Sequence, residues 1–154
     1  MLNKSNCKNS QIFNRPSLDT VFMKTALLFA ERNTCPRAES GTVIVKNDRI
    51  ISTGYVGSSP GRPHCLAVGC DIDEITGGCV RTLHAESNAI GYAAKKGISL
   101  EGAVLYNVIS PCLSCAKLIV QVGIIQIKYL YEYRDRQGLI YLKINNVECI
   151  KLKC

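Results

Sequence analysis

Two short motifs carry the residue types that metal-dependent hydrolysis uses. The first is His-Ala-Glu at residues 84–86, and the second is Pro-Cys-Leu-Ser-Cys at residues 111–115. One imidazole and two thiolates give zinc three protein ligands and leave its fourth position open for water, which distinguishes catalytic zinc sites from closed structural ones. Zinc makes such a water acidic near neutral pH. We therefore predict a catalytic zinc centre with His84, Cys112 and Cys115 as its ligands.

Glu86 is the carboxylate that this chemistry needs for proton transfer. Zinc does not require it as a ligand, so it is free to act as a general acid and base. A His-x-Glu segment followed by Pro-Cys-x-x-Cys is the signature of zinc-dependent nucleobase deaminases, in which the glutamate moves the protons. A Cys-x-x-Cys pair alone is more typical of a redox or structural zinc site. Together the two motifs favour hydrolytic deamination, with Glu86 as the catalytic residue.

Length and composition indicate one globular domain. The chain has 154 residues, of which 47% are hydrophobic and 20% charged. No apolar run approaches the roughly 20 residues of a membrane span, and residues 1–16 lack the apolar core of a secretory signal. We expect a polar N-terminal tail at residues 1–14, a single zinc-dependent deaminase domain at residues 15–154, a cytoplasmic location and no membrane partner.

Nine cysteines and a net charge of +7 stand out in the composition. In a cytoplasmic protein, cysteines are expected as thiols and metal ligands rather than as disulfides. The positive charge fits an anionic substrate or a nucleic acid, and it equally fits a lysine-rich surface with no such role. With no Trp and 6% aromatic residues, the chain offers little surface for stacking the bases of a nucleic acid. We therefore expect a mononucleotide substrate and no nucleic-acid partner.

Apolar periodicity and turn residues predict the element order α-β-β-α-β-α-β-α-β. Ser17 is suited to cap a first helix that runs to about Arg32. Helical spacing predicts a buried stripe on that helix, made of Leu18, Val21, Phe22, Thr25, Leu28 and Phe29. Further helices are expected at 84–96, 111–122 and 136–144, and strands at 41–45, 50–55, 103–108, 124–131 and 147–150, with a turn at 46–49. This alternation predicts an α/β fold with a mixed five-stranded sheet and helices on both faces.

The stretch at residues 56–80 has no regular periodicity. It is rich in glycine and proline, and it contains His64, Cys65, Cys70 and Cys79. A loop of this length inside a compact domain is uncommon and is usually functional or tied down. The cysteines offer a way to tie it down.

Beyond these motifs, the chain resembles the deoxycytidylate (dCMP) deaminases of the bacterial and phage type, which include the late-competence deaminase-like proteins. The resemblance covers residues 15–152, nearly the whole chain. It rests on Arg-Pro-Ser at 15–17, Arg-Asn-Thr-Cys at 32–35, Gly-Thr-Val-Ile-Val-Lys at 41–46, Gly-Tyr-Val-Gly at 54–57, Pro-His-Cys at 63–65, Cys-Val-Arg-Thr-Leu-His-Ala-Glu at 79–86, residues 110–117 and Tyr-Arg-Asp at 133–135. These segments are more specific than the metal motifs, which cytidine and tRNA-adenosine deaminases share.

The resemblance implies a cytidine deaminase-like three-layer α/β/α fold and hydrolysis of dCMP to dUMP and ammonia, a step that feeds dTMP synthesis. It also implies a homo-oligomer, commonly a hexamer, with dCTP and dTTP as effectors. The candidates for substrate or nucleotide contacts are Gly54, Tyr55, Val56, Gly57, Arg81, Ala85, Asn88 and Ser110. Arg81, near the metal helix, is the candidate to hold a phosphate.

Two residues depart from the pattern of this family. Val56 stands where the family usually has asparagine, and valine cannot make the hydrogen bonds of an amide. Val108 stands where the family often has threonine. Neither belongs to the zinc ligands or replaces Glu86, so the departures bear on regulation and substrate detail rather than on the chemistry.

The resemblance also implies a second, structural zinc that ties the long loop to the first helix. Cys35, Cys65, Cys70 and Cys79 are its candidate ligands, with His64 as an alternative. Four thiolates would form a closed structural site. The alternative is that some of these cysteines are simply small buried apolar residues.

Two other functions compete with dCMP deamination. One is deamination of another cytosine substrate, such as dCTP, deoxycytidine or a base in RNA. The other is a non-catalytic nucleotide sensor that retains the fold, although a binding protein has no need of the proton carrier that Glu86 provides. Ammonia release from dCMP, dCTP, cytidine and deoxycytidine discriminates among these functions.

Overall fold

The computed structural model of the protein describes residues 15–153, so the predicted tail at residues 1–14 lies outside the described part. The helices are α1 Leu18–Ala30, α2 Cys65–Val68, α3 Ala85–Lys95, α4 Leu113–Gln121 and α5 Gln137–Ile144. The strands are β1 Gly41–Lys46, β2 Arg49–Tyr55, β3 Gly57–Ser58, β4 Thr82–Leu83, β5 Val104–Ile109, β6 Gln126–Tyr131 and β7 Glu148–Lys151. Within this part of the chain, no helix has the length and apolarity that a bilayer crossing requires.

A mixed five-stranded sheet forms the middle layer, as predicted, and the structure shows its strand order to be β2-β1-β5-β6-β7. Strand β1 pairs antiparallel with β2 and β5, whereas β5, β6 and β7 run parallel. Side chains alternate between the two faces of each strand: Val43 packs with α1, while Ile44 packs with α3 and its neighbours. Helix α1 covers one face and α3, α4 and α5 cover the other, which gives the α/β/α layers.

The β1–β2 hairpin is tighter than predicted. Strands extend to Lys46 and from Arg49, so the turn contains only Asn47 and Asp48. Both residues have positive φ, at 51° and 57°. Asparagine and aspartate tolerate this conformation, and it matches the twist of a two-residue hairpin.

The predicted buried stripe of α1 is confirmed only in part: Phe22 is buried and Thr25 and Phe29 are half-buried. Ser17 caps the helix by accepting a hydrogen bond from the Thr20 N–H at 3.2 Å, but Leu28 is 62% exposed. Leu18 and Val21 are also exposed, and the buried residues are Phe22, Met23, Ala26 and Ala30. The cause is a close approach between helix and sheet, because a Cβ at Gly41 of β1 would lie 2.1 Å from the Ala26 carbonyl oxygen. Alanines, not leucines, therefore face the sheet at this contact, and Phe22 and Met23 complete the buried face.

A similar close approach holds α3 against β2. A Cβ at Gly54 would lie 2.3 Å from the Ala85 carbonyl oxygen and 2.6 Å from the Ala89 amide nitrogen. Ala85 and Ala89 are themselves fully buried. The first turn of α3 therefore sits directly on β2, at a distance that only glycine permits.

The loop at residues 56–80 contains more structure than its sequence suggested. Strand β3 pairs with β4 to form a small second sheet, and α2 lies between them in the chain. An isolated bridge joins Ile72 to Cys79. These short elements lack the length that a periodic sequence pattern needs to be recognised.

The packing of Gly54 gives the first testable prediction. Gly54→Ala should lower the free energy of unfolding by about 1–3 kcal/mol, because the added methyl group overpacks the contact with α3. Urea denaturation of the wild-type protein and the variant measures the difference.

Gly91→Ala is the matched control, since Gly91 lies within α3 and a Cβ there meets no atom within 4 Å. That variant should gain up to about 1 kcal/mol from the higher helix propensity of alanine. Equal effects from the two substitutions would contradict the close approach.

Candidate active site

The two sequence motifs lie at the N-termini of adjacent helices. His84 is the N-cap of α3 and Cys112 is the N-cap of α4. Helix α4 therefore begins two residues later than predicted, with Pro111 ahead of the cap rather than in the first turn. Neither cap side chain hydrogen-bonds to its own helix. Both side chains are thus directed to another partner.

The side chains of His84, Cys112 and Cys115 converge on one position. The His84 Nδ1 atom lies 3.4 Å from Cys112 Sγ and 3.5 Å from Cys115 Sγ, and the three potential ligand atoms lie within 4.8 Å of one another. A tetrahedral zinc with ordinary Zn–N and Zn–S bonds has N···S edges of about 3.6 Å. The donor set and its spacing therefore fit zinc, and the structure brings together all three predicted ligands.

The electrostatics of this centre favour a thiolate at Cys112. Its interaction with Cys115, assisted by that with His84, lowers the pKa of Cys112 to about 4 despite partial burial. The same interaction with Cys112, together with burial, raises the pKa of Cys115. Hydrogen bonding to Cys112 raises the pKa of His84. Thiolate is the form in which cysteine binds metal.

Glu86 lies in the first turn of α3 and is only 5% exposed. Burial raises its pKa to about 7, against the opposing effects of its backbone hydrogen bond and of His84. A carboxyl group with a pKa near 7 can both take up and release a proton at neutral pH. Its position beside the three ligand side chains suits it to proton transfer.

Glu86 faces a cleft of about 330 Å³ that opens to solvent. Its walls are formed by Ala38, Ser40, Val56, His84, Ile109, Ser110, Cys112 and Tyr133. A second cleft adjoins it, sharing Ala38, Val56, His84 and Tyr133 and adding Arg37, Arg134, Gly77 and Gly78. We call these two adjoining clefts the inner and outer parts of a groove, which together extend from the candidate metal centre to two guanidinium groups.

The two arginines were not among the predicted site residues. The Arg37 guanidinium donates a hydrogen bond to the Gly77 carbonyl oxygen and that of Arg134 to the Thr76 carbonyl oxygen, each at 3.0 Å. Across residues 15–153, no carboxylate lies within 4.0 Å of either guanidinium. Arg134 belongs to Tyr-Arg-Asp at 133–135, one of the segments that resemble the family, and this could have identified it as a candidate site residue. Arg37 lies in none of those segments, so the sequence did not indicate it.

Two of the predicted nucleotide contacts line the groove. Val56 lies in the walls of both its parts, and Ser110 in that of the inner part. The Ser110 hydroxyl also accepts a hydrogen bond from the Tyr133 N–H at 2.9 Å, which fixes the start of the segment that carries Arg134.

Other predicted contacts lie outside the groove walls and have structural neighbours. Asn88 donates a hydrogen bond to the Tyr55 carbonyl oxygen at 2.8 Å, which ties α3 to β2. Gly54 and Ala85 form the close helix–strand contact, and Gly57 pairs with β4. Arg81 lines neither part of the groove. Within the described chain its Nε atom is buried without a hydrogen-bond partner.

The structure also brings together Cys35, Cys65, Cys70 and Cys79. Their sulfur atoms lie within 4.8 Å of one another, with Cys35–Cys70 at 3.7 Å and Cys65–Cys79 at 3.6 Å. A tetrahedral zinc with four thiolates has S···S edges of about 3.8 Å, so the cluster fits zinc. His64 is not a member of this group and instead occupies the N-cap position of α2.

The chain is similar in sequence to known zinc-binding deaminases. Residues 16–131 match the sequence model of the cytidine and deoxycytidylate deaminase zinc-binding region. ComE operon protein 2 of Bacillus subtilis is 42% identical over 78% of this chain and 62% of its own length. The deoxycytidylate deaminase of Saccharomyces cerevisiae is 39% identical over 84% of this chain and 43% of its own length. The chain thus spans less than two thirds of these relatives.

A solved structure supports the same relationship. The dCMP deaminase of cyanophage S-TIM5, in complex with dCMP and dUMP, superimposes with a TM-score of 0.80 at 34% sequence identity. The match covers 90% of this chain and 98% of the phage chain.

Proposed function

The chain belongs to the cytidine and deoxycytidylate deaminase family, and from that premise we propose that it hydrolyses dCMP to dUMP and ammonia. The observation that carries the proposal is the buried Glu86 beside a three-ligand centre, in a groove that ends at two arginines. The related phage enzyme binds dCMP and dUMP, which supports the same substrate here.

His84, Cys112 and Cys115 would hold the catalytic zinc. Zinc with three protein ligands supplies the Lewis acidity that makes a water molecule nucleophilic near neutral pH. Both sulfur ligands come from the start of α4, where the positive end of the helix dipole favours thiolates. His84 and Glu86 come from the start of α3, so the helix that supplies a ligand also fixes the proton carrier.

Glu86 is the proposed catalytic residue. It takes a proton from the attacking water and delivers it to the ring nitrogen beside C4 of cytosine. It then transfers the second proton to the departing amino group, so that water and substrate give the C4 carbonyl and ammonia. Burial in the cleft and a pKa near 7 suit it to both transfers.

Glu86→Gln tests this role. The variant should keep its fold and its bound metal, and its turnover should fall by about 10²–10⁴-fold, because glutamine cannot carry a proton. Ammonia release from dCMP measures the loss. The exposed Glu101 serves as the control position, and Glu101→Gln should retain wild-type turnover. Near-normal turnover in Glu86→Gln would refute the assignment.

We further propose a structural zinc at Cys35, Cys65, Cys70 and Cys79. Four thiolates leave no position open for a water molecule, which suits a structural site. Cys35 follows α1, while the other three lie in the long loop, so a shared ion would join the loop to the body of the domain. Such a clamp offsets the entropy of ordering a long irregular segment.

Metal analysis distinguishes the two centres. The wild-type protein should contain two zinc ions per chain, and Cys35→Ser and Cys112→Ser should each contain one. Cys35→Ser should also lower the melting temperature clearly, whereas Cys112→Ser should mainly abolish turnover. Cys149→Ser is the control, because Cys149 belongs to neither group. A single zinc in freshly prepared wild-type protein would contradict the second site.

Arg37 and Arg134 support a monophosphate substrate. Each guanidinium gives one hydrogen bond to a loop carbonyl oxygen, which leaves other N–H donors of each arginine available. A cationic pocket next to the catalytic cleft suits the phosphate of a nucleotide whose base lies at Glu86. This assignment replaces Arg81 as our proposal for the phosphate contact.

Substrate comparison tests these arginines. Arg37→Ala and Arg134→Ala should each lower kcat/KM for dCMP by about 10–100-fold, the effect of losing a charge-assisted hydrogen bond. The value for deoxycytidine, which has no phosphate, should change less than about threefold. The exposed Arg62, in the loop at residues 56–80, is the control position, and Arg62→Ala should leave both values unchanged. Faster wild-type turnover of deoxycytidine or dCTP than of dCMP would favour those substrates instead.

The remaining proposals rest on the family resemblance. They are a cytoplasmic location, a homo-oligomer such as a hexamer, and regulation by dCTP and dTTP. Val56 places a valine side chain in the groove wall, so effector binding there would lack an amide contact. If the zinc-loaded protein deaminated none of dCMP, dCTP, cytidine and deoxycytidine, the nucleotide-sensor function would be favoured.

A further inference from the structure

A buried polar network joins β1 and β5 beneath the cleft. Thr42 and Asn107 are directly paired across the two strands, and they are 0% and 1% exposed. Ser40, just ahead of β1, is also buried. Polar side chains inside a sheet covered by helices on both faces are costly unless their hydrogen bonds are satisfied. The same positions could hold apolar residues without that cost, so the network calls for a physical explanation.

The hydrogen bonds of Asn107 fix the orientation of its amide. Its Oδ1 atom accepts hydrogen bonds from Thr42 Oγ1 at 2.5 Å and from Ser40 Oγ at 3.4 Å. Its Nδ2 atom donates to the Ile109 carbonyl oxygen at 2.6 Å. Because a carbonyl oxygen only accepts and an amide nitrogen only donates, the Ile109 carbonyl oxygen determines which side of the amide carries the N–H groups. The two hydroxyl groups then hold the amide oxygen in place.

The second N–H of that amide lies on the side of the sheet that carries Glu86. Nδ2 has two hydrogens, of which Ile109 takes one. Strand alternation places Asn107 on the same face of β5 as Leu105, the face that α3 covers, and there the Asn107 side chain acts to lower the pKa of Glu86. Ser40, which bonds to the other end of the amide, lies in the cleft wall together with Glu86. A buried carboxylate needs such donors to keep one orientation.

We propose that Asn107, held by Thr42 and Ser40, is a positioning residue that orients the Glu86 carboxylate toward the reacting atoms. The inference rests on the proposed function, in which Glu86 moves the protons. Asn107 does not contact the cleft, so it acts only through Glu86. It should therefore influence kcat and leave substrate binding nearly unchanged.

A pair of substitutions at Thr42 separates orientation from packing. Thr42→Val keeps the shape of the side chain and removes the hydroxyl group, whereas Thr42→Ser keeps the hydroxyl group and removes a methyl group. We expect kcat for dCMP to fall by about 5–20-fold in Thr42→Val with KM within twofold, and Thr42→Ser to stay within twofold of wild type. If Thr42 only fills space, Thr42→Ser will be the more impaired variant, and the proposal is wrong.

Ser52→Ala is the control for losing a buried hydroxyl group from the same sheet. The Ser52 hydroxyl donates to the Ala89 carbonyl oxygen at 2.7 Å and makes no bond to Asn107. This variant should lower the melting temperature without the selective loss of kcat. Asn107→Ala should reproduce the effect of Thr42→Val in a stronger form, and an unchanged kcat in a folded Asn107→Ala protein would overturn the proposal.

Crystal structures of the zinc-loaded wild type and Thr42→Val provide a readout that does not depend on turnover. The Glu86 carboxylate should occupy one orientation in the wild type and more than one in the variant. If the wild type is inactive but Glu86 still loses its orientation, the proposed function fails and the positioning role stands. If the wild type is active and Glu86 keeps its orientation in Thr42→Val, only the positioning role fails.

Discussion

The burial of the Glu86 carboxylate is the constraint on which the rest of the structure depends. An ionised carboxylate removed from water is strongly destabilised unless nearby groups compensate. Here the compensation comes from the N-terminus of α3, from His84 and from the Asn107 side chain. These groups do not cancel the effect of burial, and the pKa of about 7 is the result. The uncompensated part of the burial effect lowers the stability of the fold, and it also gives Glu86 a pKa at which it can exchange protons at neutral pH.

Keeping that carboxylate in place requires α3 to lie very close to the sheet. Gly54 permits the contact, and the Asn88–Tyr55 hydrogen bond holds it in register. Helix α4 starts from the end of β5, the strand that also carries Asn107. The sheet thus positions both Glu86 and the side chains of Cys112 and Cys115 through neighbouring elements. Such support is what precise catalytic geometry requires.

How much the sequence predicted depends on the distance over which each interaction acts. His84, Glu86, Cys112 and Cys115 were predictable because short motifs and helix starts place them locally. The stripe of α1 was predictable only in part, since the close approach of Gly41 places alanines rather than leucines against the sheet. Arg37 and Asn107 acquire their significance only when distant segments meet.

The two cysteine-containing centres are also parts of one groove. Cys35 and Cys79 line its outer part together with His84 of the inner centre. Arg37 stands two residues after Cys35, and its guanidinium hydrogen-bonds to Gly77, two residues before Cys79. Any movement of the four-cysteine cluster would therefore move the cationic pocket relative to Glu86. In the proposed function, the four-cysteine cluster would thereby also set the distance between the position of the base at Glu86 and the position of the phosphate at Arg37, so substrate selection would depend on the integrity of the loop.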